Sequence, residues 1–452
     1  MYLEMKLASH HLARRSFLQA GTATFLAGLA QLYVARADNP SVTTPGFGRA
    51  KRCILVYLLG GPPQIDMWDM KPNAPAEIRG PFTSIASSVA GMRFCEHLPK
   101  LAAQANDIAL LNSVTYPNND HPFMIYTTLT GRESRIPLGA NTVLPPSRSD
   151  DPHLVAVISK FKHARHGVPG YVAIPEVQVR KLQTPVSGGG RAGLLGAAYD
   201  PLAINDDPTI APQGLALPEH TRGQRFERRQ QLLAVLDGHS ARSAAMHDYQ
   251  AFRQSAAGLV SASEAMFALD RESVETHDAY GRHRFGQSML LARRLVEHGV
   301  SFVGVHFNHM TKCDGWDTHK ENFPALKDEL LPLLDQGLSA LLSDLRERGL
   351  LDDTLVVTMG EFGRTPKVNA DGGRDHWGYC SSVLFAGGGV RGGNIVGASD
   401  SICAYPSDSP VSPADVVGSI YHTFGLTPDT LMHDPLGRPL AISEGRPIRQ
   451  LF

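Results

Sequence analysis

The chain of 452 residues has little of what marks a nucleic-acid binder, a zinc ribbon or a membrane protein. Its 43 Lys and Arg nearly cancel 44 Asp and Glu, so no basic footprint for nucleic acid is present. Five cysteines (Cys53, Cys95, Cys313, Cys380 and Cys403) are scattered, none in a CxxC pair, which speaks against a zinc ribbon. An oxidising compartment would permit one or two disulfides, with at least one thiol left over. Beyond the N-terminal segment no run is long and apolar enough to span a bilayer. There is no internal repeat, and low-complexity sequence is confined to two glycine triplets at 188–190 and 387–389. What remains is an ordinary globular composition, on a chain long enough for a large core.

The N-terminus reads as an export signal. Arg14-Arg15-Ser16-Phe17-Leu18 is a twin-arginine pattern, a weakly apolar stretch follows over 17–34, and Ala35-Arg36-Ala37 supplies small residues at a cleavage spacing. The division expected is a signal peptide over 1–37, a linker over 38–50, and a single domain over 51–452. A membrane anchor is the alternative, and the polar, proline-bearing segment after residue 37 argues for cleavage. The expected location is therefore periplasmic or secreted, with the twin-arginine export machinery as a partner and no stable membrane span after cleavage.

Hydrophobic patterning gives the fold class. Residues 52–59 (RCILVYLL), 107–111, 170–175, 301–306 (SFVGVH) and 354–359 (TLVVTM) read as buried strands. Helical spacing is present at 98–105, from 232 toward 269, at 285–298, through the leucine stripe from Leu326 to Leu345, and at 415–424. Pro332 should kink the leucine helix or mark its start. Strands alternating with helices predict an α/β fold: a mostly parallel central sheet with helices on both faces. A loop-rich and helical insertion is expected around 184–280.

Ligands of open α/β sheets collect outside the carboxyl ends of the strands. There this sequence concentrates oxygen and imidazole donors: Asp66 and Asp69 after the first strand, Thr115 and His121 after the second, His309, Asp314, Asp317 and His319 after SFVGVH, and Glu361, Arg364, Asp375 and His376 after TLVVTM. Carboxylate with imidazole suits zinc, manganese or iron, and carboxylate alone suits calcium or magnesium. In an extended segment Asp317 and His319 point to the same side. Each also has a plainer reading. Asp317 could cap the following helix, Glu361 could pair with Arg364, His376 could be a hydrogen-bonded core residue, and Asp66 and Asp69 could be turn residues. His306, His309, Asp278 and His283 read as surface or packing residues.

Together GGPPQIDMWDMKP (60–72), LTGR (129–132), GWDTH (315–319), GEFGRTPK (360–367), GRDHW (373–377) and the closing GRP (437–439) resemble the bacterial family called domain of unknown function 1501. The likeness runs from about residue 52 to the C-terminus. That family is similar to the alkaline phosphatase and sulfatase superfamily, whose members are metallohydrolases, often with two metal ions. The resemblance implies an alkaline-phosphatase-like core and a divalent metal (zinc, manganese or calcium). Asp66, His121, Asp317, His319, Glu361, Asp375 and His376 become candidate ligands, and Thr115 and Arg364 the catalytic candidates, Thr115 as nucleophile. Relatives place Asp directly after the first strand, where Gly60-Gly61 stand here, and His after the strand-end carboxylate, where Phe362 stands. The sulfatase Cys-x-Pro-x-Arg signature is absent, which argues against an ordinary sulfatase. The expected function is an exported metal-dependent hydrolase of a small-molecule or glycan phosphate or sulfate ester. The alternatives are a catalytically degraded binding or structural protein on the same scaffold, and a partner of a co-exported protein.

Overall fold

Strand β1 (Arg52–Tyr57) lies inside the sheet because its side chains are apolar on both faces. Ile54 and Val56 join one core with Leu290 and Leu295 of helix α5 (Arg284–Glu297) and Leu334, Leu338 and Leu341 of α6 (Leu331–Glu347). Cys53, Leu55 and Tyr57 join the other, with Met124 and Leu129 of α1 (His121–Thr130), Val155 and Ile158 of α2 (Leu154–Phe161), and Val417 and Ile420 of α7 (Pro413–Thr423). Two-residue alternation along one strand thus gives the sheet a helical layer on each face.

The computed structural model describes residues 44–134, 145–162, 167–176, 178–179, 184–185, 188–212, 214–215, 223–238, 244–307 and 315–452. The twin-arginine motif, the cleavage residues, His309, Cys313 and Asp314 lie outside the described residues. Pro45–Phe452 forms one unit by internal contacts. No helix among the described residues is long and apolar enough to cross a membrane.

The remaining strands of the main sheet are β2 (Ile108–Val114), β3 (Tyr171–Ile174), β4 (Leu202–Ala203), β5 (Phe302–His306), β6 (Thr354–Met359), β7 (Ser381–Ala386) and β8 (Asn394–Val396). Their order is β8-β2-β7-β6-β1-β5-β3-β4. β1 pairs in parallel with β5 and with β6, bringing Tyr57, His306 and Met359 level at one edge. Among the described residues only β7 runs against the other strands of this sheet, bonded antiparallel to β6 and β2. The sheet is therefore mostly parallel, as the patterning predicts.

The structure adds elements that the pattern does not reveal. β7 opens with two serines and runs into the glycine triplet, which hides it, yet its reversal returns residues 376–380 to the edge where the parallel strands end. Helix α1 is threonine-rich, a poor helix composition. The hydroxyls of Thr127, Thr128 and Thr130 donate back to the carbonyls of Phe123, Met124 and Tyr126, and Gly131 ends the helix in the left-handed region. The helical region from 232 toward 269 is two helices, α3 (Gln224–Gly238) and α4 (Ala244–Met266). Pro332 sits in the first turn of α6, directly after a π-helical turn over Leu326–Leu330, in backbone that is helical throughout.

Candidate metal centre

Four imidazole or carboxylate side chains from three distant segments meet at one point. The loop after β2 ends at Asp120, so His121 is the first residue of α1. Asp317 and His319 follow β5, and His376 lies on a two-residue ribbon, His376–Trp377, paired with Gly363–Arg364 beyond β6. Asp317 Oδ1 lies 3.1 Å from His319 Nε2, 3.2 Å from His376 Nε2 and 3.5 Å from His121 Nε2. The Nε2 atoms of His319 and His376 are 2.9 Å apart. His121, Asp317 and His376 form a group whose ligand atoms all lie within 4.8 Å of one another.

These separations match what a cation demands. Bonds of about 2.0–2.1 Å in tetrahedral geometry put neighbouring ligand atoms roughly 3.3 Å apart. His121 Nε2 is moreover buried with no hydrogen-bond partner closer than the 3.5 Å carboxylate. A buried imidazole nitrogen with only so long a contact is costly unless something closer occupies the shared point. The donor set of His121, Asp317 and His376 therefore fits a divalent ion, with His319 Nε2 adjoining it beside Asp317 and His376.

Two further carboxylates act on the histidines from behind. Glu361 is fully buried; its Oε1 accepts from His121 Nδ1 at 2.7 Å and from the Gly60 N–H at 2.9 Å. Asp375 accepts from His319 Nδ1 at 2.8 Å, with the Asn369 amide donating to the same oxygen at 3.2 Å. A proton held on Nδ1 by a carboxylate leaves the Nε2 lone pair aimed forward. Glu361 and Asp375, expected as ligands, each bond the Nδ1 of a histidine, His121 and His319, and Glu361 Oε2 is buried without a hydrogen-bond partner.

Electrostatics follow from the crowding. Burial raises Asp317, but bonds from His121, His319 and His376 and the Arg364 charge outweigh it and hold the carboxyl far below its usual range. Burial opposes a charge on His121, yet Asp317 and Glu361 overcome it and push the imidazole up to about 9. His376 goes the other way: burial lowers it, and the charges of His121 and Arg364 add to that against the Asp317 bond. Asp317 is thus an anion that gathers positive charge.

Arg364, expected as a catalytic group, is fully buried. Its guanidinium donates to the carbonyls of Gly60, Gly61, Trp316 and Arg374, and to Asp317 Oδ1 at 2.5 Å. It ties three strand-end loops together and holds Asp317. Asp66 stands apart from the centre: its two oxygens take a paired contact from the buried Arg374 guanidinium, each at 2.7 Å, and a third bond from Asn322. Asp69 is engaged by Lys71, Ser399 and Cys403. Thr115 is half-buried and lines a separate cavity of about 580 Å³ with Tyr116, Arg132, Asp151, Ser412 and Glu444. None of the four converging residues lines that cavity.

Two residues are less obvious contributors. Gly60, at φ +118°, passes so close to the Trp316–Asp317 backbone that a Cβ would sit 2.4 Å from the Asp317 nitrogen. Phe362 is buried, its ring 4.8 Å from that of His121 and 4.7 Å from that of His376, forming an apolar wall behind both. In the sequence both stood out only as departures from the pattern the chain resembles.

Fold and centre together define an α/β protein with a candidate cation site at the carboxyl edge of its sheet. The chain belongs to the family described as "Protein of unknown function (DUF1501)", matched over residues 50–452. A comparison with curated proteins gives no match. Among solved structures it is similar to the lipoteichoic acid synthase LtaP from Listeria monocytogenes, at 10% identity and TM-score 0.37, covering 91% of this chain and 78% of that one. It is similar also to the PsFucS1 sulfatase from Pseudoalteromonas sp. (12% identity, TM-score 0.38, covering 88% and 71%). A third is the phosphonate monoester hydrolase SpPMH from Silicibacter pomeroyi (14% identity, TM-score 0.34, covering 88% and 76%). Scores this low carry no inference about chemistry, which rests on the site itself.

Proposed function

We propose that this protein is an exported, metal-dependent hydrolase of phosphate or sulfate esters. The observation that carries the reading is the convergence of three imidazole Nε2 atoms on one carboxylate oxygen, Asp317 Oδ1, from three separate segments. His121, Asp317, His319 and His376 would hold the ion. A divalent cation supplies Lewis-acid polarisation of a phosphoryl or sulfuryl oxygen. The chain's own residues supply the arrangement: Glu361 and Asp375 keep protons on Nδ1 of His121 and His319, Arg364 fixes Asp317, and Phe362 excludes water behind the rings. Exposure rises from Glu361, fully buried, to the Asp375 side chain, 54% exposed, so the centre is open on the side of His319 and Asp375. An ester would approach from there.

The export reading rests on the twin-arginine start alone. Thr115 remains the candidate nucleophile from the resemblance, and its separate cavity supports a different role as readily. A second reading, a binding or structural protein on the same scaffold, is favoured by the placement of Thr115 in a cavity that none of the four converging residues lines.

Metal analysis of purified protein, with turnover of aryl phosphate and aryl sulfate esters, separates the two. The hydrolase reading expects bound zinc or manganese, and turnover that disappears together with the metal in Asp317→Ala and His376→Ala. Retained turnover in Thr115→Ala would remove threonine from the chemistry. Bound metal without turnover of either ester class would leave the binding reading standing.

A further inference from the structure

Beside the candidate metal centre lies a group of aromatic rings, two of them exposed, that nothing in the proposed chemistry uses. Trp377 follows the candidate ligand His376 directly. Its ring centroid is 4.9 Å from that of Tyr379 and 5.7 Å from that of Tyr405, and the two tyrosines are 5.5 Å apart, closing a triangle. Tyr379 is 52% and Tyr405 50% exposed. The group is built, not incidental. The Trp377 indole N–H donates to the Ala404 carbonyl at 2.6 Å. The Asp400 carboxylate accepts three backbone N–H groups, from Ile402, Ala404 and Tyr405, and so fixes the turn that carries Tyr405. Gly378, between Trp377 and Tyr379, lies against the Asn118 carbonyl so closely that a Cβ would come within 2.4 Å. The loop that delivers His121 therefore borders the rings.

We infer that Trp377, Tyr379 and Tyr405 form a subsite for a sugar ring of the substrate, stacking its C–H face while the tyrosine hydroxyls and the exposed Asn118 meet its hydroxyl edge. This deepens the ester-hydrolase reading and rests on it for the link to catalysis. Three arguments select the ligand. Half-exposed rings of this number offer roughly 300 Å² at most, far short of the ~800 Å² per partner that a stable protein interface buries. The rings already pack on one another, so no cage is left between them for a quaternary ammonium. Finally, a preformed apolar surface with polar groups at its border suits a ligand having one apolar face and polar edges, which a pyranose has.

The chain itself offers a clean probe. Of its three tryptophans, Trp68 and Trp316 are 3% and 0% exposed, so acrylamide-quenchable fluorescence reports Trp377. The full chain, as purified and after EDTA treatment, is titrated with neutral hexasaccharides of glucose (α- and β-linked), xylose and N-acetylglucosamine, with choline and an aromatic-rich peptide as controls. At least one hexasaccharide should protect Trp377 saturably, with or without metal. Tyr379→Ala and Tyr405→Ala should each weaken that binding about tenfold while leaving bound metal unchanged. No protection by any hexasaccharide, protection unaltered in both variants, or protection by choline or the peptide instead overturns the inference. Sugar binding without ester turnover would leave the subsite standing and remove the hydrolase reading.

Discussion

Replacing Glu361 by Gln tests how the centre is built more sharply than removing a ligand would. Gln keeps the volume and one carbonyl oxygen, so the Gly60 N–H, now 2.9 Å from Oε1, retains an acceptor. What disappears is the charge opposite His121 Nδ1, 2.7 Å away. Loss of such a backing carboxylate lowers metal affinity about 10–100-fold, or about 1.4–2.8 kcal/mol. Glu361 is fully buried and engages an imidazole that is itself only 16% exposed, so solvent screens little of the effect and the upper half of that range is expected. Asp375→Asn acts on the more exposed His319 and should fall in the lower half. Competition titration with a chromophoric zinc chelator measures both affinities, and absorption of the cobalt-substituted protein reports whether the ligand set is retained. Affinity within twofold of wild type would refute the orienting role. A loss beyond about a thousandfold with an altered cobalt spectrum would make Glu361 a ligand and refute the assignment from the other side.

Asp66→Asn should remove a buried ion pair and lower stability by about 3–5 kcal/mol, because it strands the Arg374 guanidinium, while zinc stoichiometry stays unchanged; calorimetry with metal analysis distinguishes this from loss of a ligand. Acid should destabilise the fold before the carboxylates titrate. Burial, with the nearby His306 charge, pushes His153 down to about 3, and burial pushes His306 down to about 4 against the Pro175 carbonyl it donates to. Both sit near 6.5 when unfolded, so the unfolded chain takes up protons first: the contribution is complete above about pH 6.5 and falls by on the order of 3 kcal/mol per histidine by pH 4. Urea midpoints for wild type and His153→Asn, which keeps the cap on Val155, should diverge below pH 6.5 with the variant less pH-sensitive; parallel curves would contradict the assignment.

The inner parallel strands were legible because burial on both faces writes itself as unbroken apolar runs, and β1, β5 and β6 are such runs; the short, partly exposed edge strands β4 and β8 were not. The antiparallel β7 was not, since only four of its six residues are apolar and glycines follow at once. At the centre, strand-end reasoning gathers His121, Asp317, His319 and His376, because topology alone brings the carboxyl ends of parallel strands to one edge. It does not separate a carboxylate that would touch an ion from one that holds a histidine. Glu361 and Asp375 have the same chemistry as Asp317, and only the 2.7 and 2.8 Å contacts to Nδ1 atoms distinguish their places. Asp66 illustrates the opposite limit. Its partner Arg374 lies 308 residues away, and no local spacing announces that pairing. The aromatic subsite was hidden for a similar reason: Tyr405 reaches Trp377 through a turn that sequence spacing does not measure.

The two departures from the resembled pattern, Gly60-Gly61 and Phe362, have a common geometric cause. The first strand ends against the chain that carries Asp317, and the space beside the Gly60 Cα is taken by the Trp316–Asp317 backbone. An aspartate there would have to displace the residue on which three imidazoles converge. A Cβ at Gly61 would meet the Phe362 ring at 2.7 Å, and that ring in turn backs His121 and His376. An imidazole in place of Phe362 would put a polar nitrogen into the apolar wall that fixes both rings. Glycine and phenylalanine are therefore mutually required: each makes room for, or supports, the single cluster around Asp317 Oδ1. In the hydrolase reading the missing aspartate and histidine are then the packing conditions of a smaller site, built among the described residues on Asp317 and the imidazoles around it.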